Sequence, residues 1–163
     1  MHFDCRPVDN SFFDLAPMRF QHVVDLDATP AQVFAIFDDE SSWPKWFKAI
    51  HKVEWTSPRP HGVGSTRTVT LATATVFEHF YCWEQDRRCT FYLSGASMPL
   101  AHAMAEDYLL EATAPDKTRF TYRVGIEPRM PVAAGGPLSH MYFDSMFKSA
   151  CEELQAYVRP IAS

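Results

Sequence analysis

Residues 28–50 read ATPAQVFAIFDDESSWPKWFKAI, and the architecture follows from them. Thr29 is an N-cap, Pro30 suits the first helical position, and Gln32 completes a T-x-x-Q capping box. Val33, Ile36 and Phe37 then recur at helical spacing. A second start follows at Ser41 or Ser42, with Pro44 in the first turn. Trp43, Trp46, Phe47 and Ile50 fall at i, i+3, i+4 and i+7, a single apolar stripe, while Lys45 and Lys48 face away. Two short helices in succession, wedged between strand-like segments, predict an α+β arrangement.

The flanks supply the strands. Upstream, Phe20, His22, Val24 and Leu26 alternate with Gln21, Asp25 and Asp27, the pattern of a half-buried strand. Downstream, Val53 and Trp55 alternate with Lys52 and Glu54, and SPRPHGVGST at 57–66 supplies turn chemistry. Segments 67–73, 75–84, 89–94, 102–112 and 119–127 then read as strands separated by short polar turns, an antiparallel meander. In the 75–84 strand the reading places Phe77, His79, Tyr81 and Trp83 inward, with Glu78 and Glu84 on the other face. PRMPVAAGGP is a linker, after which Pro137 starts a last helix that Pro160 stops. Phe143, Met146, Phe147, Ala150, Leu154 and Tyr157 form its apolar stripe. At 1.5 Å per residue it is ~33 Å long, enough to lie across a whole sheet. Residues 1–17 show no clean period and hold two prolines, so they read as a lead-in to one domain at 18–160.

Bulk composition narrows the function classes. The chain of 163 residues is 47% hydrophobic and 21% charged, which suits one globular domain with a sizeable core. A net charge of -5 argues against nucleic acid, whose binding rests on a basic face that neutralises phosphates. Cys5, Cys82, Cys89 and Cys151 are widely spaced with no C-x-x-C, the usage of free thiols in a reducing, cytoplasmic setting. The N-terminus carries no apolar leader core, and no run approaches the ~18 apolar residues of a membrane span.

Three stretches carry a family likeness: VDLDATPAQVFAIFDDESSWPKWF at 24–47, GVGSTR at 62–67, and AEDYLLEATAPDKTRFTYRV at 105–124 leading into the terminal helix. Strand, two short helices, six strands and a long helix, over residues 18–159, resemble the START-like or SRPBCC superfamily. The likeness is to its polyketide cyclase/dehydrase and lipid-transport branch in particular. It implies a helix-grip fold: a curved antiparallel sheet wrapped around the C-terminal helix, with an apolar cavity between them. It also implies a hydrophobic small-molecule ligand, lipid or polyketide-like. The superfamily holds transporters, cyclases, receptors and orphans on one scaffold, so the site must be read from the residues themselves.

Glu106 is the leading candidate. In HAMAEDYLLE it shares a face with Met104, Tyr108 and Leu110, while Asp107 and Glu111 take the other. A lone acid on an apolar wall must find a partner or take a raised pKa, and either state suits a ligand hydroxyl or a proton transfer. The alternative is an ion pair with Arg67, Arg88 or Arg123. His79, on the face read as inward, would complete an acid/base pair with Glu106 for cyclisation or dehydration; the alternative is a hydrogen-bonded core histidine. The expected ligand-binding wall is Phe77, Tyr81, Trp83, Met104, Tyr108 and Tyr122 from the strands, with Trp46, Phe143 and Phe147 from the helices. The same side chains could instead fill the interior, which would leave an interaction protein. No H-E-x-x-H or converging carboxylate cluster occurs, GASMP fails G-x-S-x-G, and GVG stands in a hairpin turn. No metal and no cofactor are therefore expected. Neither strand alternation nor helix stripes set an oligomeric state.

Overall fold

The capping box forms as the sequence requires: the Gln32 amide donates to Thr29 Oγ1 at 3.2 Å, and the Thr29 amide donates to Gln32 Oε1 at 2.8 Å. Replacing Thr29 by Ala removes one of these bonds and is expected to lower stability by about 1 kcal/mol, read as a shift in urea midpoint with unchanged m-value. The structure, a computed structural model, describes the backbone of residues 1–162 and the side chains of 1–159. Its elements are β1 (Phe3–Asp4), α1 (Phe12–Leu15), β2 (Met18–Leu26), α2 (Pro30–Asp38), α3 (Trp43–Trp46), β3 (Ile50–Trp55), β4 (Thr66–Leu71), β5 (Thr75–Glu84), β6 (Arg88–Ala96), β7 (Ala101–Ala114), β8 (Lys117–Pro128) and α4 (Pro137–Ala162).

All strands belong to one antiparallel sheet in the order β2-β8-β7-β6-β5-β4-β3. The helix pair after β2 carries the chain from one edge of the sheet to the other, so the remaining strands run back as a meander. This is the helix-grip fold. Helix α4 lies along the concave face. Phe20 of β2 packs edge-on to Phe147, His22 Nε2 meets Asp144 Oδ1 at 2.8 Å, and Gln155 donates to the Asp25 carbonyl at 2.9 Å. Glu153 Oε2 accepts from the Lys48 amide just beyond α3 at 2.9 Å, holding the other flank. The helix passes Pro160, where the sequence reading stopped it.

Residues 1–17 form more structure than their lack of period suggests. β1 pairs with the end of β6, Phe3 opposite Ala96, and the Arg6 amide reaches the His102 carbonyl at 2.9 Å. α1 then lays Phe12 and Phe13 over Ala103 and Ala105 on the convex face. Gly125 permits this: a Cβ there would come within 2.9 Å of the Phe12 ring. The middle of the sheet is therefore covered on both faces, by α4 within and by the lead-in without.

Candidate functional site

Between the concave face, α3 and the first half of α4 lies a cavity of about 730 Å³. Val69, Leu71, Val76, Leu93 and Met104 line it from the sheet, Trp43 and Phe47 from α3 and the residue after it, and Phe143, Met146 and Phe147 from α4. It opens between the 72–74 turn, the 98–100 loop and the start of α4, where Met98, Leu138 and Tyr142 both line it and stand exposed. Among the described residues the charged side chains on its wall are Arg67, Glu78 and Glu106.

Glu106 stands on the inner face of β7, 8% exposed, beside Tyr108 on its own strand and Tyr122 on β8. Both tyrosine hydroxyls donate to the same oxygen, Oε1, Tyr108 from 3.3 Å and Tyr122 more closely. Oε2 has no hydrogen-bond partner among the described residues and is not walled off by protein, so it faces the cavity. Burial lifts the Glu106 carboxyl to about 7 and the negative charge of Glu78 adds to the rise; the Tyr122 hydroxyl, Arg67 and the Tyr108 hydroxyl pull the other way. Both tyrosines are pushed far above their ordinary range by burial and by the Glu106 charge, and so remain donors.

The three arginines weighed as partners of Glu106 are engaged elsewhere. Arg88 and Arg123 converge on Asp107, 1% exposed on the opposite face of β7, at 2.8 and 2.9 Å, with Thr90 Oγ1 at 2.8 Å. Arg67 pairs through Nε with Oε2 of Glu78, its cross-strand neighbour, the two side chains 2% and 5% exposed and both on the cavity wall. The Arg67 guanidinium also lies 4.6 Å from the Trp43 ring, 4.9 Å from Phe80 and 5.1 Å from Phe91. Burial works against its charge, yet the attraction of Glu78, with Tyr108 beside it, leaves its pKa raised. Glu106 is thus a buried acid held by hydroxyls and not by an ion pair.

The β5 strand corrects the sequence reading. Val76, Glu78 and Phe80 face inward, while Phe77, His79 and Tyr81 face the convex side under residues 1–17. His79 stacks on Tyr92 at 5.0 Å, Tyr81 donates to Asn10 at 3.0 Å, and Phe77 meets His2 at 5.4 Å. None of the three lines the cavity. With apolar side chains on both faces, alternation gives the period of this strand but not which phase is inner. A bulge between Phe80 and Cys82 then returns Trp83 to the inner side. There it packs against Phe34, Trp55 and Phe80, away from the cavity. Trp46 is likewise solid core, 4.9 Å from Trp43. Met104, Tyr108, Tyr122, Phe143 and Phe147 do line the cavity with Glu106. Arg67 and Glu78 are the polar wall residues that the sequence reading missed. The signal was the shared parity of Arg67 with Val69 and Leu71 on β4.

The family with the description polyketide cyclase/dehydrase and lipid transport matches residues 17–159. The chain belongs to that family. The Mycobacterium tuberculosis protein Rv2574 is 40% identical over 121 residues, 74% of this chain and 72% of its own. Among solved structures, a START superfamily protein from Mycobacterium smegmatis superposes with a TM-score of 0.76 at 14% identity, over 88% of this chain and 98% of that one. The di-domain ARO/CYC BexL gives 0.72 at 13% identity, over 89% of this chain and 47% of its own. At such identities these two likenesses speak for the START-like fold and not for a shared ligand. No helix among the described residues is long and apolar enough to cross a membrane.

Proposed function

We propose that the chain binds a hydrophobic small molecule, lipid or polyketide-like, in the cavity between sheet and α4, with Glu106 as the polar anchor. The observation that carries this reading is the cavity itself. At about 730 Å³, with aromatic and aliphatic walls and three charged side chains, it has the size and polarity of a small-molecule site. A filled interior, which would have favoured a pure interaction protein, has no support in that volume. The four free thiols, three of them buried, support a reducing, cytoplasmic setting.

Native mass spectrometry of gently purified protein, before and after organic extraction, tests the proposal. A reproducible excess mass that extraction removes is the expected result. A protein that stays at its bare mass against fatty acids, sterols and aromatic polyketides would overturn it.

A second reading, a cyclase or dehydratase, is favoured by one observation: two tyrosine hydroxyls hold Oε1 of Glu106 and leave Oε2 to the cavity, and burial, which pushes this carboxyl up to about 7, would let it give and take protons near neutrality. His79 has no part in it from the convex face. The acid/base work would fall to Glu106, with Tyr108 and Tyr122 fixing its orientation. Turnover abolished in Glu106→Gln with binding retained would establish this reading, and binding without turnover in either form would sink it.

A further inference from the structure

The polar end of the cavity constrains the ligand's chemistry further. Among the described residues two carboxyls, Glu78 and Glu106, and one guanidinium, Arg67, make up its charged groups. Glu78 engages Arg67 only through Nε. Neither Nη of Arg67 has a hydrogen-bond partner among the described residues, and neither is sealed off by protein, so both keep donors for something in the cavity. At Glu106 the two tyrosine donors share Oε1, which leaves Oε2 to the cavity. With both carboxyls ionised this end would carry one net negative charge in a largely apolar lining, a costly arrangement once a ligand displaces water unless something offsets it.

From this arrangement we infer that the cavity selects ligands whose buried end is uncharged and accepts hydrogen bonds, such as a ketone, aldehyde or ester, and discriminates against carboxylates. This rests on the reading of the cavity as a ligand site. A carbonyl oxygen can accept from an Arg67 Nη or from Oε2–H of a protonated Glu106. A carboxylate would be a third acidic group beside a single cation that Glu78 already occupies. An amine would satisfy Glu106 but set a second cation near Arg67 and leave the Nη donors without an acceptor. The exclusion of fatty acids is thus a property of charge balance and not of shape.

Filling the cavity with an uncharged ligand also removes water from Oε2 and drives Glu106 to its neutral form. Every group that bears on this proton is accounted for: Arg67 from β4, Glu78 from β5, Tyr108 from β7 and Tyr122 from β8. β6 presents Leu93 there, and α4 presents Phe143, Met146 and Phe147, with the Tyr142 phenol at the mouth and no charged residue. Binding therefore takes up a proton when the free site is ionised. With Glu106 held protonated in the complex, affinity for an uncharged ligand falls as pH rises through neutrality, by about tenfold from pH 6 to pH 8.

The test is calorimetric titration with three probes of one chain length, 2-decanone, decanoate and decylamine, below their micellar concentrations, at pH 6 and 8 and in two buffers of different ionisation enthalpy. The expected result is that 2-decanone binds at least tenfold more tightly than decanoate at pH 8, with close to one proton taken up. In Glu106→Gln the ketone should still bind, with neither proton uptake nor pH dependence. Decanoate or decylamine binding as tightly as 2-decanone, or ketone binding without proton uptake, overturns the inference and leaves the ligand reading standing. Failure of all three probes to bind overturns both.

Discussion

Arg67→Met is expected to cost about 3 to 5 kcal/mol of folding stability at pH 7, a large share of what a domain of this size has. The cost does not measure the attraction between Arg67 and Glu78. Both side chains are almost wholly buried on the cavity wall, so removing the guanidinium leaves the Glu78 carboxylate without its ion-pair partner in a largely apolar lining. Glu78 is already pushed up by burial, and Arg67 is the charge that opposes the rise. Without Arg67 it either stays ionised in an apolar wall or takes a proton, and the loss of stability grows with pH. The double variant Arg67→Met/Glu78→Leu separates these effects, because it replaces the pair by apolar side chains of similar bulk. It should recover most of the loss and fall within about 1 to 2 kcal/mol of the parent. Urea unfolding of the two singles and the double gives the cycle. A single variant that loses less than about 1 kcal/mol would show that Glu78 finds water or another donor, and the enclosed pair would then be no structural necessity.

Which parts of this could be seen in the sequence depended on whether one phase of a pattern was polar. The capping box at Thr29 and the Trp43 stripe fixed the helix pair, because each combines a local polar signal with a periodic apolar one. On β7 the face of Glu106 was legible since Asp107 and Glu111 mark the other phase near it, even though Asp107 proved to be buried under its two arginines. On β5 both phases carry large apolar side chains, and the phase of Phe77, His79, Tyr81 and Trp83 reads as inner when Val76, Glu78 and Phe80 hold that face up to the bulge. The cover on the convex face, which makes those outer aromatics useful, comes from residues 1–17. No alternation marks that segment, because its contacts are single docking events: Phe12 against Gly125, and Tyr81 to Asn10. The Arg67–Glu78 pair was hidden with the face: once Glu78 is placed on the outer phase of β5, Arg67 is left to be weighed against Glu106 and not against its cross-strand neighbour.

Glu106→Gln is expected to stabilise the ligand-free protein at pH 8 and to leave it nearly unchanged at pH 5. In the folded chain burial and the Glu78 charge raise the Glu106 carboxyl from 4.5 to about 7. Between those two values the folded state holds a proton that the unfolded chain has released. Stability therefore falls as pH rises through that window: the contribution is complete below pH 4.5 and gone above about 7. At 1.36 kcal/mol per pKa unit, the window spans about 3 kcal/mol, an upper figure for a group whose second oxygen faces an open cavity. Glutamine keeps an acceptor oxygen for the Tyr108 and Tyr122 hydroxyls and has no proton to lose, so it escapes the penalty. The difference in unfolding free energy between variant and parent, followed by urea denaturation from pH 5 to pH 8, should grow with pH and flatten above neutrality. Taking that difference removes the contribution of acids remote from the cavity, while Glu78, which feels the Glu106 charge, contributes to the difference in the same direction. A flat difference would mean that Glu106 is ionised at little cost, and Oε2 would then be in contact with water or a cation and not an acid waiting for a ligand. The instability of the ionised, empty site would be the physical reason for this fold to prefer its cavity filled.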